Sequence, residues 1–228
     1  MERIRILGIS SSPRAGSNTT ILVKWALKGA MTLEGIETKF IPLRKKLIFP
    51  CVDCDCCNVE GTYCVQKDDM QEIYNALIWA DGMILGTPIY YQTLNAQMKI
   101  IIERCRPICR KSGNLLRYKV GGAIAVGGGR NHGQEYAIST IHDFFNIVGM
   151  ATVGGVRGDV GVAGVANAEG VIREDVIHSE IYGDIKSEEN AFLLGKLVAT
   201  CTKVFRKGSL IVNPDDLYDM KKALSKQK

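Results

Sequence analysis

Residues 4–20 read Ile4-Arg5-Ile6-Leu7-Gly8-Ile9-Ser10-Ser11-Ser12-Pro13-Arg14-Ala15-Gly16-Ser17-Asn18-Thr19-Thr20. The apolar run from Ile4 to Ile9 ends in hydroxyl residues, Pro and Gly, which predicts a buried strand opening into a loop. A helical pattern follows over residues 18–33. Ser17 and Asn18 suit its start, because their side-chain oxygens accept from the free N–H groups of a first helical turn. Strand, loop, helix is the opening unit of an α/β sheet.

The same alternation continues outward. A second strand is expected over 37–41, then an irregular stretch over 42–67 in which Pro50, Gly61 and the cysteines argue against a regular element. Asp68 and Asp69 can cap a helix reaching residue 80. A short buried strand over 82–86 leads into Thr87-Pro88-Ile89-Tyr90-Tyr91, and a helix covers 94–105. A strand over 120–126 is broken by Gly127-Gly128-Gly129, an amphipathic helix covers 134–148, and a fifth strand lies near 151–156. The glycine-rich segment 154–170 reads as a loop or an oligomer contact. Helices are expected over 188–205 and from Pro214 onward, the latter with acids first and lysines last, as the helix dipole favours. The expected organisation is one domain over 1–206 with a helical tail over 207–228.

With 228 residues, 46% hydrophobic and 23% charged, the chain can bury a substantial core. Its net charge of +5 is modest and its basic residues are scattered, which argues against a nucleic-acid partner. No apolar run approaches the roughly 20 residues that span a bilayer, and Ile4 to Ile9 is too short for a signal-peptide core, so no membrane association and a cytoplasmic location are expected. Five of the eight cysteines fall between Cys51 and Cys64, and in a reducing compartment such crowding points to metal or redox chemistry.

The loop after the first strand has the composition of an anion site. Free N–H groups and the positive dipole end of a helix attract a phosphate, hydroxyls add donors, Gly16 permits close approach and Arg14 adds charge. Ser10, Ser12, Arg14, Ser17, Asn18 and Thr19 are the candidates. Simple capping by Ser17 or Asn18 is the alternative, against which stands the loop's place at the carboxyl end of a strand, where open α/β sheets bind ligands. There is no G-x-G-x-x-G and no Walker lysine. Thr87, Pro88, Ile89, Tyr90 and Tyr91, with Gly127, Gly128 and Gly129, lie at two further strand ends and suit the flat apolar body and polar edge of an isoalloxazine ring. An ordinary strand-ending turn and a flexible turn are their alternatives.

These residues carry a resemblance to the NADPH-dependent FMN reductase superfamily of flavodoxin-like proteins. Ser10 to Thr19 matches its S-x-S-x-R-x-x-S-N-T phosphate loop. Gly86-Thr87-Pro88-Ile89-Tyr90-Tyr91, with Ala96-Gln97-Met98-Lys99 and Glu103-Arg104, matches its flavin strand and the helix after it. The resemblance covers about residues 3–155. It implies FMN as cofactor and a doubly wound five-stranded parallel sheet of order 2-1-3-4-5.

Between Pro50 and Val65 the chain reads C-x2-C-x2-C-x6-C through Cys51, Cys54, Cys57 and Cys64. This resembles the ferredoxin-type spacing for a cubane 4Fe-4S cluster. A compact cysteine insertion after the second strand marks the iron-sulfur flavoproteins within the superfamily, and the resemblance assigns those four cysteines as ligands. Cys56 departs from the simple pattern and can replace Cys57 or stand as a spare thiol. A structural zinc site and unliganded redox thiols are the other readings. Cys105, Cys109 and Cys201 read as small buried residues, and none of the three histidines is given a proton-transfer role.

The loops after strands one, three and four are expected to meet over the flavin, with the cysteine loop on the same rim beside an edge strand. The implied activity passes electrons from a low-potential, ferredoxin-like donor through the cluster to FMN and on to a small oxidant. Arg44-Lys45-Lys46 can steer an acidic donor or simply form a solvated turn. The resemblance also implies a homo-oligomer, a dimer or dimer of dimers. The alternatives are an NAD(P)H-dependent flavin or quinone reductase with a zinc-stapled loop, and an electron carrier or redox sensor without a substrate of its own.

Overall fold

The computed structural model describes residues 3–59, 63–110, 114–129, 132–154, 161–165 and 187–208. The first half runs β1 (Ile4–Ser10), α1 (Asn18–Met31), β2 (Ile36–Pro42), α2 (Met70–Trp79), β3 (Gly82–Tyr90), β4 (Thr93–Leu94), α3 (Ala96–Arg104) and α4 (Arg106–Arg110). The second half runs β5 (Val120–Gly127), α5 (Gln134–Ile147), β6 (Ala151–Thr152), β7 (Val162–Val165) and α6 (Ser187–Gly208). Between β2 and α2 the described residues form one short 3-10 turn, Cys56–Asn58. The expected tail helix lies outside the described residues.

The sheet has seven strands, not five. Its path is β2-β1-β3-β5-β6, with β4 on β3 and β7 on β5. All pairings are parallel except the β3–β4 hairpin. The flavodoxin-like order therefore stands, but two features correct the sequence reading. Thr93 and Leu94, of which Leu94 was expected to open a helix, fold back on Tyr90 and Ile89 because Tyr91 and Gln92 both take positive φ, 47° and 69°, and close a tight turn. The fifth position is shared: β6 covers Val120 and Gly121, while β7 covers Ile124 to Gly127 along the same edge of β5. Part of the segment expected as loop is thus a strand.

Alternation along β1 divides the core. Ile4 and Ile6 face one side with α1 and α6, while Leu7 and Ile9 face the other with α2, α3 and α5. Burying each of these side chains contributes about 1.5–3 kcal/mol. β5 is buried at every position, as a central parallel strand covered on both faces must be. No helix among the described residues is long and apolar enough to cross a membrane.

Candidate functional site

Three strand-end loops come together at the carboxyl edge of the sheet. Ser11 N–H donates to Gly86 O at 2.9 Å, and Ser11 Oγ donates to Asn95 Oδ1 at 2.7 Å. Asn95 returns Nδ2–H to Ser11 O at 2.8 Å, donates its own N–H to Thr87 Oγ1 at 3.1 Å and caps α3 by accepting from Met98 N–H at 3.2 Å. One buried amide thus binds the loops after β1 and β3. The third loop is held by Gln134, whose Nε2–H donates to Gly129 O at 2.6 Å while its Oε1 accepts from His132 N–H at 2.9 Å. Gly133, at φ 94°, lies so close to the second loop that a Cβ there would fall 2.1 Å from Gln92 O.

In the first loop, Ser17 caps α1, accepting from Thr20 N–H at 3.2 Å, so the capping reading holds for that residue. Ser10 Oγ pairs with Thr20 Oγ1 at 2.9 Å, and Thr19 is buried with its methyl group toward Gly86. Both are spent on internal packing. Ser12 Oγ accepts from Arg14 N–H at 3.4 Å. Asn18 Oδ1 is buried without a hydrogen-bond partner at the start of a 14-residue helix. An amide turned about its last torsion presents N–H there instead, so an unused donor at the positive end of a helix suits an anionic group.

Beyond β3, Pro88 and Ile89 are half-buried, Tyr90 is exposed and Tyr91 is 99% exposed. A tyrosine held in the left-handed region and in solvent is a conformation associated with ligand contact. At Gly128 an added Cβ would touch nothing within 4 Å, so the backbone there borders open space, whereas Gly127 and Gly129 are closed in by Gln134 and His132. Arg130 and Asn131 lie outside the described residues.

The cysteine loop leaves the same rim, tied by Leu43 N–H to Ser10 O at 2.8 Å. Cys51, Cys54, Cys57 and Cys64 line one cavity, open to solvent, together with Tyr74 of α2 and Arg104 at the end of α3. α3 spans nine residues, about 14 Å at 1.5 Å per residue, so the cavity stands roughly one helix length from Asn95. Cys56 is not among the residues that line it, and its thiol donates to Cys54 O at 3.6 Å. Among the described residues, no three His, Cys, Asp or Glu side chains close on a single metal-ion position. Thiolates around a multi-iron core stand farther apart than four that share one ion.

Polar anchors shape this loop. Asp53 and Asp55 take positive φ, 48° and 61°, and both pair with Arg106, while Arg110 donates to Asn58 Oδ1 at 2.6 Å. At the loop's base, Arg104 and Asp68 form a two-pronged pair at 2.7 and 3.1 Å, with side chains 1% and 0% exposed. Arg104 also donates to Phe49 O at 2.6 Å and its carbonyl accepts from Tyr74 Oη–H at 2.6 Å. Asp68 Oδ1 caps α2 by accepting from Met70 N–H at 3.0 Å, and Asp69 instead accepts from Leu47 N–H at 2.7 Å. Asn95, Gln134, Arg104 and Arg106 were not singled out as site residues from the sequence. Arg104 stood among the residues that carry the resemblance, and Asn95 carried the signal of an N-cap before Ala96-Gln97-Met98.

Burial alone would raise the Asp68 carboxyl, but hydrogen bonds from Arg104, Phe49 N–H and Met70 N–H outweigh it and hold the group below the usual 3.8. A folded value below the unfolded one gives stability that is present above about pH 4 and is lost as pH falls through the depressed value. The base of the cysteine loop should therefore stay closed at pH 5 and open on further acidification. Exchange protection of the Phe49 amide reads this, and protection unchanged between pH 5 and 2, after correction for intrinsic exchange, would contradict it.

Residues 4–160 match the family model described as NADPH-dependent FMN reductase. An iron-sulfur flavoprotein of Methanocaldococcus jannaschii is 43% identical over 206 residues, covering 90% of this chain and the whole of that protein. A second from the same organism is 46% identical over 152 residues, covering 67% of this chain and 76% of the relative. A flavodoxin, WrbA-like protein from Agrobacterium tumefaciens superposes with a TM-score of 0.60 at 15% identity, over 89% of this chain and 99% of that one, a likeness of fold.

Proposed function

Because the chain belongs to the iron-sulfur flavoprotein family of the NADPH-dependent FMN reductase superfamily, and is an FMN-dependent oxidoreductase, we propose that it relays electrons from a low-potential protein donor, through a 4Fe-4S cluster and FMN, to a small oxidant. The observation that carries this reading is the single cavity lined by Cys51, Cys54, Cys57 and Cys64, on a chain whose strand-end loops converge one helix length away. When bound, a cubane cluster passes single electrons and FMN stores two, so the pair converts between one- and two-electron carriers.

The chain's own residues hold and orient. Ser12, Arg14, Ser17 and Asn18 bind the FMN phosphate at the start of α1, and Ser10 and Thr19 keep the loop in shape. Thr87, Pro88, Ile89, Tyr90 and Tyr91 border the ring on one side, and the backbone of Gly127, Gly128 and Gly129 borders it on another. Cys51, Cys54, Cys57 and Cys64 hold the cluster as thiolates. The described cysteines form no disulfide with one another, and the reading places the chain in the cytoplasm. Arg44 and Lys45 are exposed beside the cysteine loop and suit an acidic, ferredoxin-like donor, whereas Lys46 is paired with Glu72. Assembly as a dimer or dimer of dimers belongs to the same reading.

Anaerobic rapid mixing separates this from a direct NAD(P)H-dependent reductase with a zinc-stapled loop. Reduced ferredoxin should bleach the flavin and NADPH alone should do so at least tenfold more slowly. Fast bleaching by NADPH, with ferredoxin ineffective, would replace the donor assigned here.

A further inference from the structure

Two arginines beside the cysteine cavity have both terminal nitrogens in hydrogen bonds and a buried Nε–H with no partner. Arg104 spends its NH1 and NH2 groups on Asp68 and Phe49 O, and Arg106 spends its own on Asp53 and Asp55. Both Nε–H groups are buried with no hydrogen-bond partner, and both residues line the cavity that holds Cys51, Cys54, Cys57 and Cys64. An orphaned buried N–H is costly, and two of them at the wall of one cavity call for an acceptor inside it. Phe49 O and the carboxylates of Asp68, Asp53 and Asp55 meet the terminal nitrogens and not Nε. What the cavity's other wall offers is sulfur.

Resting on the cluster reading given above, we propose that Arg104 and Arg106 are hydrogen-bond donors to the cluster, each giving its Nε–H to a thiolate or sulfide sulfur and thereby setting the reduction potential. Their carboxylate partners fix the two guanidinium planes, so the donors are oriented before any electron arrives. Reduction adds one negative charge to the cluster, and a fixed donor stabilises that form more than the oxidised one. The two arginines therefore raise the potential, and they do so as positioned donors more than as bare charges, since each cation is already offset by an aspartate. The ion pairs also couple the potential to loop shape, because Asp53 and Asp55 sit between the ligating cysteines. Both are positioning residues and neither handles the electrons.

Lysine keeps the charge and an aspartate partner but loses the guanidinium fork, so the test uses Arg104→Lys and Arg106→Lys in the full chain, purified without oxygen. Iron, sulfide and FMN are quantified first, and the reduced cluster is then titrated potentiometrically by its electron paramagnetic resonance signal. The expected result for each is wild-type iron and sulfide content with about a tenfold lower ratio of reduced to oxidised cluster at the wild-type midpoint, a shift of about 59 mV for one electron. Arg110→Lys, which touches Asn58 and does not line the cavity, should leave the midpoint unchanged. Midpoints equal to wild type in both loaded variants would overturn the inference and leave the cluster reading intact. Loss of iron with FMN retained in both would also overturn it, because the arginines would then only hold the loop. Iron and sulfide absent from the wild-type chain would remove the cluster reading itself.

Discussion

Cys57→Ser is expected to strip the chain of its iron and sulfide while leaving FMN bound, whereas Cys56→Ser leaves both in place. Adjacent cysteines look interchangeable in a sequence, but their backbones do not present them alike. Asp55, in the left-handed region, starts the 3-10 turn Cys56–Asn58. That turn puts Cys57 on the cavity wall beside Cys51, Cys54 and Cys64, and leaves Cys56 off it with its thiol on the Cys54 carbonyl. With one of the four thiolates removed, iron is expected to fall from about four per chain to about one or fewer. Iron lost from Cys56→Ser and kept in Cys57→Ser would reverse the ligand assignment.

Gly195→Ala carries the largest expected loss of stability. α1 and α6 cross at Gly29 and Gly195, where a Cβ on Gly195 would lie 1.7 Å from Ala26 O and one on Gly29 1.9 Å from Phe192 O. The obstacle in each case is backbone, which cannot rotate away like a side chain, so the helices must separate. α6 also supplies Leu194 and Val198 to the core beside Ile84, Val120 and Ile124, and that packing loosens with it. Overpacking of this kind costs about 3 kcal/mol, which lowers the melting temperature of a chain this size by about 9 °C. Gly208→Ala at the end of the same helix meets nothing within 4 Å and should change stability by less than about 0.5 kcal/mol. Equal melting temperatures for the two variants would mean that the helices do not meet at Gly195.

Where a segment's chemistry is local, the sequence was enough. The run from Ile4 through Thr20 announces strand, loop and capped helix in consecutive residues, the repetition of that unit announces a parallel sheet, and the strand order came with the family resemblance. β7 was missed for a steric reason. Gly161 and Gly164 read as loop residues, yet a Cβ at Gly161 would meet Ala123 O at 2.8 Å and one at Gly164 would meet Leu22 at 2.8 Å. The glycines are there because the strand is squeezed against its neighbours, and composition alone cannot tell a crowded glycine from a free one. The anchors of the cofactor site were hidden by distance. Asp68 and Arg104 are 36 positions apart, and Ser11 and Asn95 are 84 apart. Each residue has an unremarkable setting along the chain, and only folding reveals that a buried charge or amide has found its partner.

In the function proposed, the thiolates around one cavity hold a four-iron core on a flavin-binding chain. Iron, acid-labile sulfide, zinc and flavin counted on the same oxygen-free sample test it most directly. About four irons, four sulfides and one FMN per chain are predicted. One zinc per chain with no sulfide would contradict the account.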